Sequence, residues 1–254
     1  MKKTIALIIL SIAISSLSAQ QQKDSTKVES RILIIPYQSM MYFSDADQDI
    51  ARFSRSNEMK VRNEMRNNVE ANIHHQLLSC FDAISLMRST SLNGEPDLNR
   101  IYGATQYTLH SNHPINKDII GDKDKSAKQK LFEKFKHKTK DQTFWVNDSN
   151  VMLGMIGDPD LFQYLSKKYN EKYILFLTQF EVNTNNKNTI EWSKQQYKRE
   201  YILHYNLFDK GGNLILAQTL TIKGENENST KEINDKYLVL LGSKLKEIIQ
   251  LNDH

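Results

Sequence analysis

The chain has 254 residues and a formal net charge of +4, from 34 Lys and Arg residues against 30 Asp and Glu residues. Lys2 and Lys3 lie in a segment that we expect to be removed, which leaves a charge of +2 for the mature chain. So weak a positive balance argues against a nucleic-acid ligand. Cys80 is the single cysteine, so no internal disulfide can form and folding depends on the apolar core.

The N-terminus has the pattern of a secretory signal peptide. Two lysines precede an apolar run over residues 5–17, which is followed by Ser18 and Ala19. We predict a signal peptide over residues 1–19, a flexible leader over 20–30, and a periplasmic or secreted mature protein. The apolar run is shorter than the roughly 18–20 residues that a membrane span requires. No cysteine stands at the predicted processing site, so the pattern is not that of a lipoprotein.

A strand, a long helix and a second strand are predicted at the start of the folded part. The β-branched run over residues 31–37 is typical of a strand buried on both faces, and Pro36 ends its hydrogen-bond ladder. An i to i+4 row of apolar residues then predicts an amphipathic helix from Val61 to Phe81. A short alternating segment at 83–87 predicts a second strand, parallel to the first because βαβ crossovers are right-handed.

An irregular insertion is predicted at about residues 89–150. Turn residues recur at 93–96 and 113–114, and a lysine-rich stretch covers 117–140. Five acidic residues dilute these lysines, which favours a solvated surface over an anion-binding or membrane-binding patch.

The second half of the chain predicts a helix, a strand, a hairpin and a final helix. Asp158 is the expected N-cap of the first helix, with Pro159 at its first position. Glycines in the hairpin turn supply positive φ. The predicted bounds are 172–182 for the strand, 200–208 and 214–222 for the hairpin strands, and 231–251 for the final helix.

These elements predict a single α/β domain over residues 31–254. Helices should pack on a mixed sheet of about five strands, in two or three layers. The sequence has no G-x-S-x-G turn and no phosphate-binding loop, so it indicates no catalytic residue and no cofactor.

The order of elements resembles the periplasmic α/β domain shared by the curli secretion protein CsgG and the N-terminal domain of TolB. Pro36 and Tyr37 end the first strand as in that group, and Gly211-Gly212 lies in the hairpin turn before the last helix. The chain also resembles uncharacterised exported bacterial proteins in which a strand, the segment 42–47 and a long helix follow one another. The first resemblance implies a non-catalytic role in envelope assembly. The chain lacks the lipid-bearing cysteine and the lipid-facing strands, so a pore is not expected.

Asp45, Asp47 and Asp49 alternate after the first strand and are the candidate metal ligands. An EF-hand loop has Gly at its sixth position and a bidentate Glu at its twelfth. Those positions hold Ile50 and Ser56 here. The favoured interpretation is helix capping, in which Ser44 is the cap and Asp47 completes a capping box. Weak cation binding is the alternative.

Histidines and the cysteine give weaker signals. His110 and His113 are three residues apart but lack a third ligand at fixed spacing, which a zinc site requires. His204 alternates within a strand and is expected to be a packed or edge side chain. Cys80 lies at the end of an apolar helix face, which is typical of a structural thiol.

Three aromatic residues, Phe144, Trp145 and Trp192, form a candidate interaction patch, because aromatic side chains dominate interface energetics. The alternative is that they cover the core beneath the insertion. We expect an exported periplasmic domain that binds envelope or outer-membrane proteins and is not an enzyme; its oligomeric state stays open. Two alternatives also stay open. One is a hydrolase that acts on carbohydrate or peptide through paired carboxylates, and the other is a periplasmic protein that binds a cation or a small ligand.

Overall fold

The computed structural model describes residues 30–89, 94–110, 143–147 and 150–253. The predicted signal peptide, the predicted leader up to residue 29 and the lysine-rich stretch lie outside the described residues. His113 lies outside them as well, and with it the proposed pair with His110.

The described strands form two sheets. The large sheet has the strand order β3-β1-β7-β8-β9-β5, with β2 also paired to β7, and the small sheet consists of β4 and β6. The strands are β1 Arg31–Ile35, β2 Tyr42–Ser44, β3 Asp82–Ser85, β4 Thr105–His110, β5 Phe144–Asn147, β6 Val151–Ile156, β7 Tyr173–Thr184, β8 Lys198–Asp209 and β9 Leu214–Glu225.

The five strands predicted from the sequence are present as β1, β3, β7, β8 and β9. β1 pairs in parallel with β3 and β7, whereas β7, β8 and β9 pair antiparallel. The predicted α/β fold with a mixed sheet is therefore confirmed. β2 and β5 bring the large sheet to seven strands. With three and four residues, they are too short to show an alternating pattern.

Helices lie on both faces of the large sheet. Asp158 caps α4 by accepting the backbone N–H of Asp160, as predicted. The final helix contains one π-helical turn, Asn234–Leu238, between α6 and α7. The helices are α1 Asp47–Phe53, α2 Glu58–Leu77, α3 Gly94–Ala104, α4 Pro159–Tyr169, α5 Ile190–Ser193, α6 Thr230–Ile233 and α7 Val239–Gln250.

One face of the large sheet is covered by α2 and α7, and this face holds most of the core. The predicted apolar row of α2, from Val61 to Leu77, is fully buried. Gly242 brings α7 close to α2, because a Cβ at this position would lie 2.9 Å from the carbonyl oxygen of Asn72. Apolar burial on this scale is the main force that holds the two helices on the sheet.

The opposite face is covered at one end by α3 and α4. Leu33 and Ile35 of β1 point to this side, whereas Ile32 and Ile34 point to the α2 side, as the alternation of a strand requires. This half of the fold therefore has three layers. α3, β4 and β5 all lie within the predicted insertion, so its described part is more regular than the sequence indicated.

Candidate functional site

The small sheet is attached to the large sheet through side chains. Thr178 Oγ1 donates to the carbonyl oxygen of Met152 at 2.7 Å, and the N–H of Met152 donates to His204 Nδ1 at 3.0 Å. The N–H of Gly154 donates to Asn206 Oδ1 at 2.8 Å. The inner edge of β6 thus pairs with three side chains on the face of the large sheet. We call Thr178, His204 and Asn206 the polar clamp.

His204 is held in one tautomer within the polar clamp. Its Nδ1 accepts the Met152 N–H, so the proton of the neutral ring is on Nε2, which lies 3.0 Å from Glu181 Oε1 and donates to it. This hydrogen bond lowers the pKa of Glu181 below its usual range, and burial opposes the shift. Both ring nitrogens are engaged, so His204 has no free nitrogen to act as a general base.

Sequence reasoning placed His204 as a packed or edge side chain, and it is packed. It missed Thr178 and Asn206. The available signal was the alternation of polar residues inside two otherwise apolar strands. His204 and Asn206 are two residues apart in β8, which places both side chains on the same face of the sheet.

A groove of about 920 Å³ lies at the amino end of the parallel strands. Three acidic residues line it, namely Asp82, Glu171 and Asp209. Asp82 is paired with Arg31, whose Nε lies 2.6 Å from Asp82 Oδ2. Asp209 Oδ1 accepts the backbone N–H groups of its own hairpin turn. The groove therefore does not offer two free carboxylates, which the hydrolase alternative requires.

Glu171 is the buried acidic residue of this groove. The residue is 3% exposed, and no other described residue donates a hydrogen bond to its carboxylate. Burial raises the pKa of Glu171, and its own backbone N–H and the positive charge of Arg31 partly oppose this shift. An ionised carboxylate without a partner destabilises the fold in such a place.

Asp45 and Asp49 each have a cationic partner. Asp45 Oδ1 accepts the N–H of Thr184 at 2.9 Å, and Asp45 Oδ2 lies 3.1 Å from Lys187 Nζ. Asp49 Oδ1 lies 3.0 Å from Arg52 Nη2. Asp45 thus joins the end of β2 to the end of β7, and Asp49 pairs within its own helix.

Asp47, unlike Asp45 and Asp49, is buried, and both of its carboxylate oxygens accept hydrogen bonds from side chains. Asp47 Oδ1 accepts the hydroxyl of Tyr42 at 2.8 Å, and Asp47 Oδ2 accepts Arg62 Nε at 2.7 Å. The predicted capping box is wrong, because Ala46 is the N-cap of α1 and no side chain caps it. Ser44 instead accepts the N–H of Ala46 before the helix begins. The three carboxylates diverge to three separate sets of partners, since the segment turns from strand into helix between them.

The described residues contain no group of three or more His, Cys, Asp or Glu side chains arranged to hold a metal ion. Cys80 Sγ lies 3.4 Å from the carbonyl oxygen of Leu77. Burial raises the pKa of the Cys80 thiol, which disfavours the reactive thiolate. In the part of the chain that the structure describes, no helix has the length and apolar character to cross a bilayer.

The three predicted patch residues lie on different surfaces. Phe144 and Trp145 are neighbours in β5, so their side chains point to opposite faces of the large sheet. Lys244 of α7 lies over the Phe144 ring, and Lys223 of β9 lies over the Trp145 ring. Trp192 is half-buried in α5, between β7 and β8. That Phe144, Trp145 and Trp192 bind a partner protein stays a prediction.

Four exposed apolar side chains belong to segments that lie toward the carboxyl end of the parallel strands. Phe43 lies on β2 opposite Glu181, near the end of β7. Met40 lies in the turn before β2, Met59 near the start of α2, and Ile190 at the start of α5. The exposed fractions are 74% for Met40, 50% for Phe43, 68% for Met59 and 71% for Ile190. We call these four residues the carboxyl-end surface.

No family model matches the sequence, and no curated protein matches it. Several solved structures match the chain, and the following two examples are similar over most of its length. The PelC dodecamer from Paraburkholderia phytofirmans is 6% identical with a TM-score of 0.33, covering 85% of this chain and 86% of that chain. The hypothetical protein CT253 from Chlamydia trachomatis is 10% identical with a TM-score of 0.36, covering 87% of this chain and 94% of that chain. At these values neither likeness bears on function, and the predicted relation to CsgG and TolB stays a prediction.

Proposed function

We propose that this protein is an exported, non-catalytic periplasmic domain that binds other proteins of the cell envelope. The N-terminal pattern of two lysines, an apolar run and small residues supports export. The described domain would then bind its partner through its own surface.

The observation that carries the proposal is the carboxyl-end surface. Its four residues expose large apolar side chains at one end of the molecule. Large exposed apolar patches mark sites of protein interaction. Burial of each such side chain is worth about 1.5–3 kcal/mol, so a partner that covers several of them gains a substantial part of its binding free energy.

The polar clusters support a non-catalytic role. A general base must have a free atom within reach of the proton that it removes. Both ring nitrogens of His204 are engaged, and Asp45, Asp47 and Asp49 each have a partner. The contacts of His204 and Asp45 join separate parts of the chain, which supports a structural role for these side chains.

Site-specific photo-crosslinking in intact cells tests the proposal. A photo-reactive phenylalanine analogue is placed at Phe43 or at Ile190 of the full-length chain. We expect a defined adduct with an envelope protein from both positions. The matched control is the same analogue at Leu78, which is 47% exposed at the opposite end of α2. Equal adducts from all three positions, or the monomer alone from all three, would contradict the proposal.

A further inference from the structure

β4 is the outer strand of the small sheet. It pairs with β6, and no other described strand pairs with it. Its six residues, Thr105–His110, include no Lys, Arg, Asp, Glu or Pro. Four of them are exposed, and Leu109 is 56% exposed. Natural proteins protect edge strands with charges, proline, bulges or very short length. Within its described residues, β4 has none of these protections.

The backbone of β4 presents hydrogen-bonding groups on its outer side. In an antiparallel pair, alternate residues direct their N–H and C=O groups toward the partner strand. The N–H and C=O of Met152 and the N–H of Gly154 point away from β4 and bond to the polar clamp. Their opposite residues are Leu109 and Tyr107, so these two direct their backbone groups away from β6. Among the described residues, therefore, nothing pairs with the backbone groups on the outer side of β4.

Other edges of the large sheet are shorter or covered. β3 has four residues, and His74 of α2 lies over it with Nε2 3.2 Å from the carbonyl oxygen of Ala83. β2 has three residues and β5 has four. Among the described edges, β4 combines the greatest length with the least protection.

We infer that the outer edge of β4 accepts an extended segment of the partner protein as an added strand. This inference rests on the proposed function and names a contact through which the partner binds. Unpaired backbone groups that recur every second residue, about 6.6–6.8 Å apart, match an extended chain and not a helix.

The side chains indicate the chemistry of the added strand. Leu109 and Met155 lie on opposite faces of the small sheet, and Met155 is 52% exposed. β4 carries no formal charge at neutral pH, so it offers no ion-pair partner to a charged segment. The segment that fits is uncharged. Every second residue of it is apolar, and one of these apolar residues lies beside Leu109.

Proline substitution tests the backbone contact. Leu109→Pro removes one outward N–H and leaves the bonds between β4 and β6 intact. The full-length chain carries the photo-reactive group at Phe43, and the adduct is measured. We expect Leu109→Pro to reduce the adduct at least about tenfold, while Leu109→Val, which keeps the N–H, stays within about twofold of the parent. Leu109→Lys keeps the backbone and adds a charge to the edge, so it serves as a second test if the proline variant does not fold.

The outcomes separate the two proposals. An adduct from Phe43 that neither Leu109→Pro nor Leu109→Lys reduces overturns the strand inference and leaves the proposed function standing. No adduct from Phe43 or Ile190 in the parent overturns the proposed function. For positive evidence of strand pairing, probes at Gln106 and Thr108 should label partner residues two positions apart. Labelling without this spacing, or labelling of a second copy of this chain, would overturn the inference.

Discussion

The two faces of the large sheet hold their neighbours in different ways. On one face, α2 and α7 pack mainly through apolar side chains such as Ile73 and Leu245. On the other face, β6 is attached through the polar clamp of Thr178, His204 and Asn206. Apolar burial is non-directional and spread over many contacts. A clamp of three residues depends on each hydrogen bond, because a lost partner leaves a buried backbone group unpaired.

The largest expected effect is on the helix-covered face. Ile73→Ala removes a fully buried side chain of α2 and should lower the free energy of unfolding by about 2–5 kcal/mol. Urea unfolding measures this change. Leu78→Ala, at the exposed end of the same helix, should change it by no more than about 0.5 kcal/mol. A similar loss for both variants would mean that burial does not decide the stability of this face.

Thr178→Val should affect the small sheet more than the rest of the protein. The valine keeps the shape but leaves the carbonyl oxygen of Met152 without its donor, at a cost of about 1–3 kcal/mol. Hydrogen exchange should show faster opening in β4 and β6 with little change in β8. Thr178→Ser restores the hydroxyl and should restore most of the protection. If β8 opens as much as β6, the two sheets form one cooperative unit and the contrast between the faces fails.

Lowering the pH should weaken the polar clamp. The folded pKa of Glu181 lies below its unfolded value, so its contribution to stability is fully present above the unfolded pKa. That contribution is lost as the pH falls through the folded pKa, because a protonated Glu181 accepts the His204 hydrogen bond more weakly. The protection factors of Met152 and Gly154 should therefore fall in acid. Glu181→Gln should reduce this pH dependence, and an unchanged pH profile would exclude Glu181 as its source.

The smallest expected effect concerns Glu171, which is buried without the partners that the polar clamp has. Its folded pKa is raised, so stability is greatest below the unfolded pKa and decreases as the pH rises through the folded pKa. Glu171→Gln should raise the melting temperature slightly at neutral pH and make no difference below the unfolded pKa. A lower melting temperature at neutral pH would show that the ionised carboxylate has a stabilising partner.

Several elements followed from local patterns alone. The row from Val61 to Leu77 predicted α2, and the apolar run of β7 predicted the central strand, since burial on one helix face or on both faces of a strand leaves a clear periodicity. β2 and β5 left no such pattern, because three or four residues do not define a period. They exist because β7 and β9 offer backbone partners along their length.

The candidate sites were harder to predict than the elements. The alternating aspartates indicated either a cap or a cation site, yet Asp45 and Asp47 bind partners elsewhere in the chain, and Asp49 pairs with Arg52 of its own helix. Thr184, Lys187 and Arg62 are 139, 142 and 15 residues distant from their aspartates. Local spacing shows which side chains share a face, but it does not show which distant groups meet them.

The sequence by itself determined β1, α2, β3, α4, β7, the β8–β9 hairpin and the final helix, together with their buried faces and the weak charge, because these depend on the composition and periodicity of neighbouring residues. Only the tertiary structure decided that β6 binds the polar clamp and that no described strand other than β6 pairs with β4. These contacts join residues far apart in the chain, and their direction depends on how the two sheets meet.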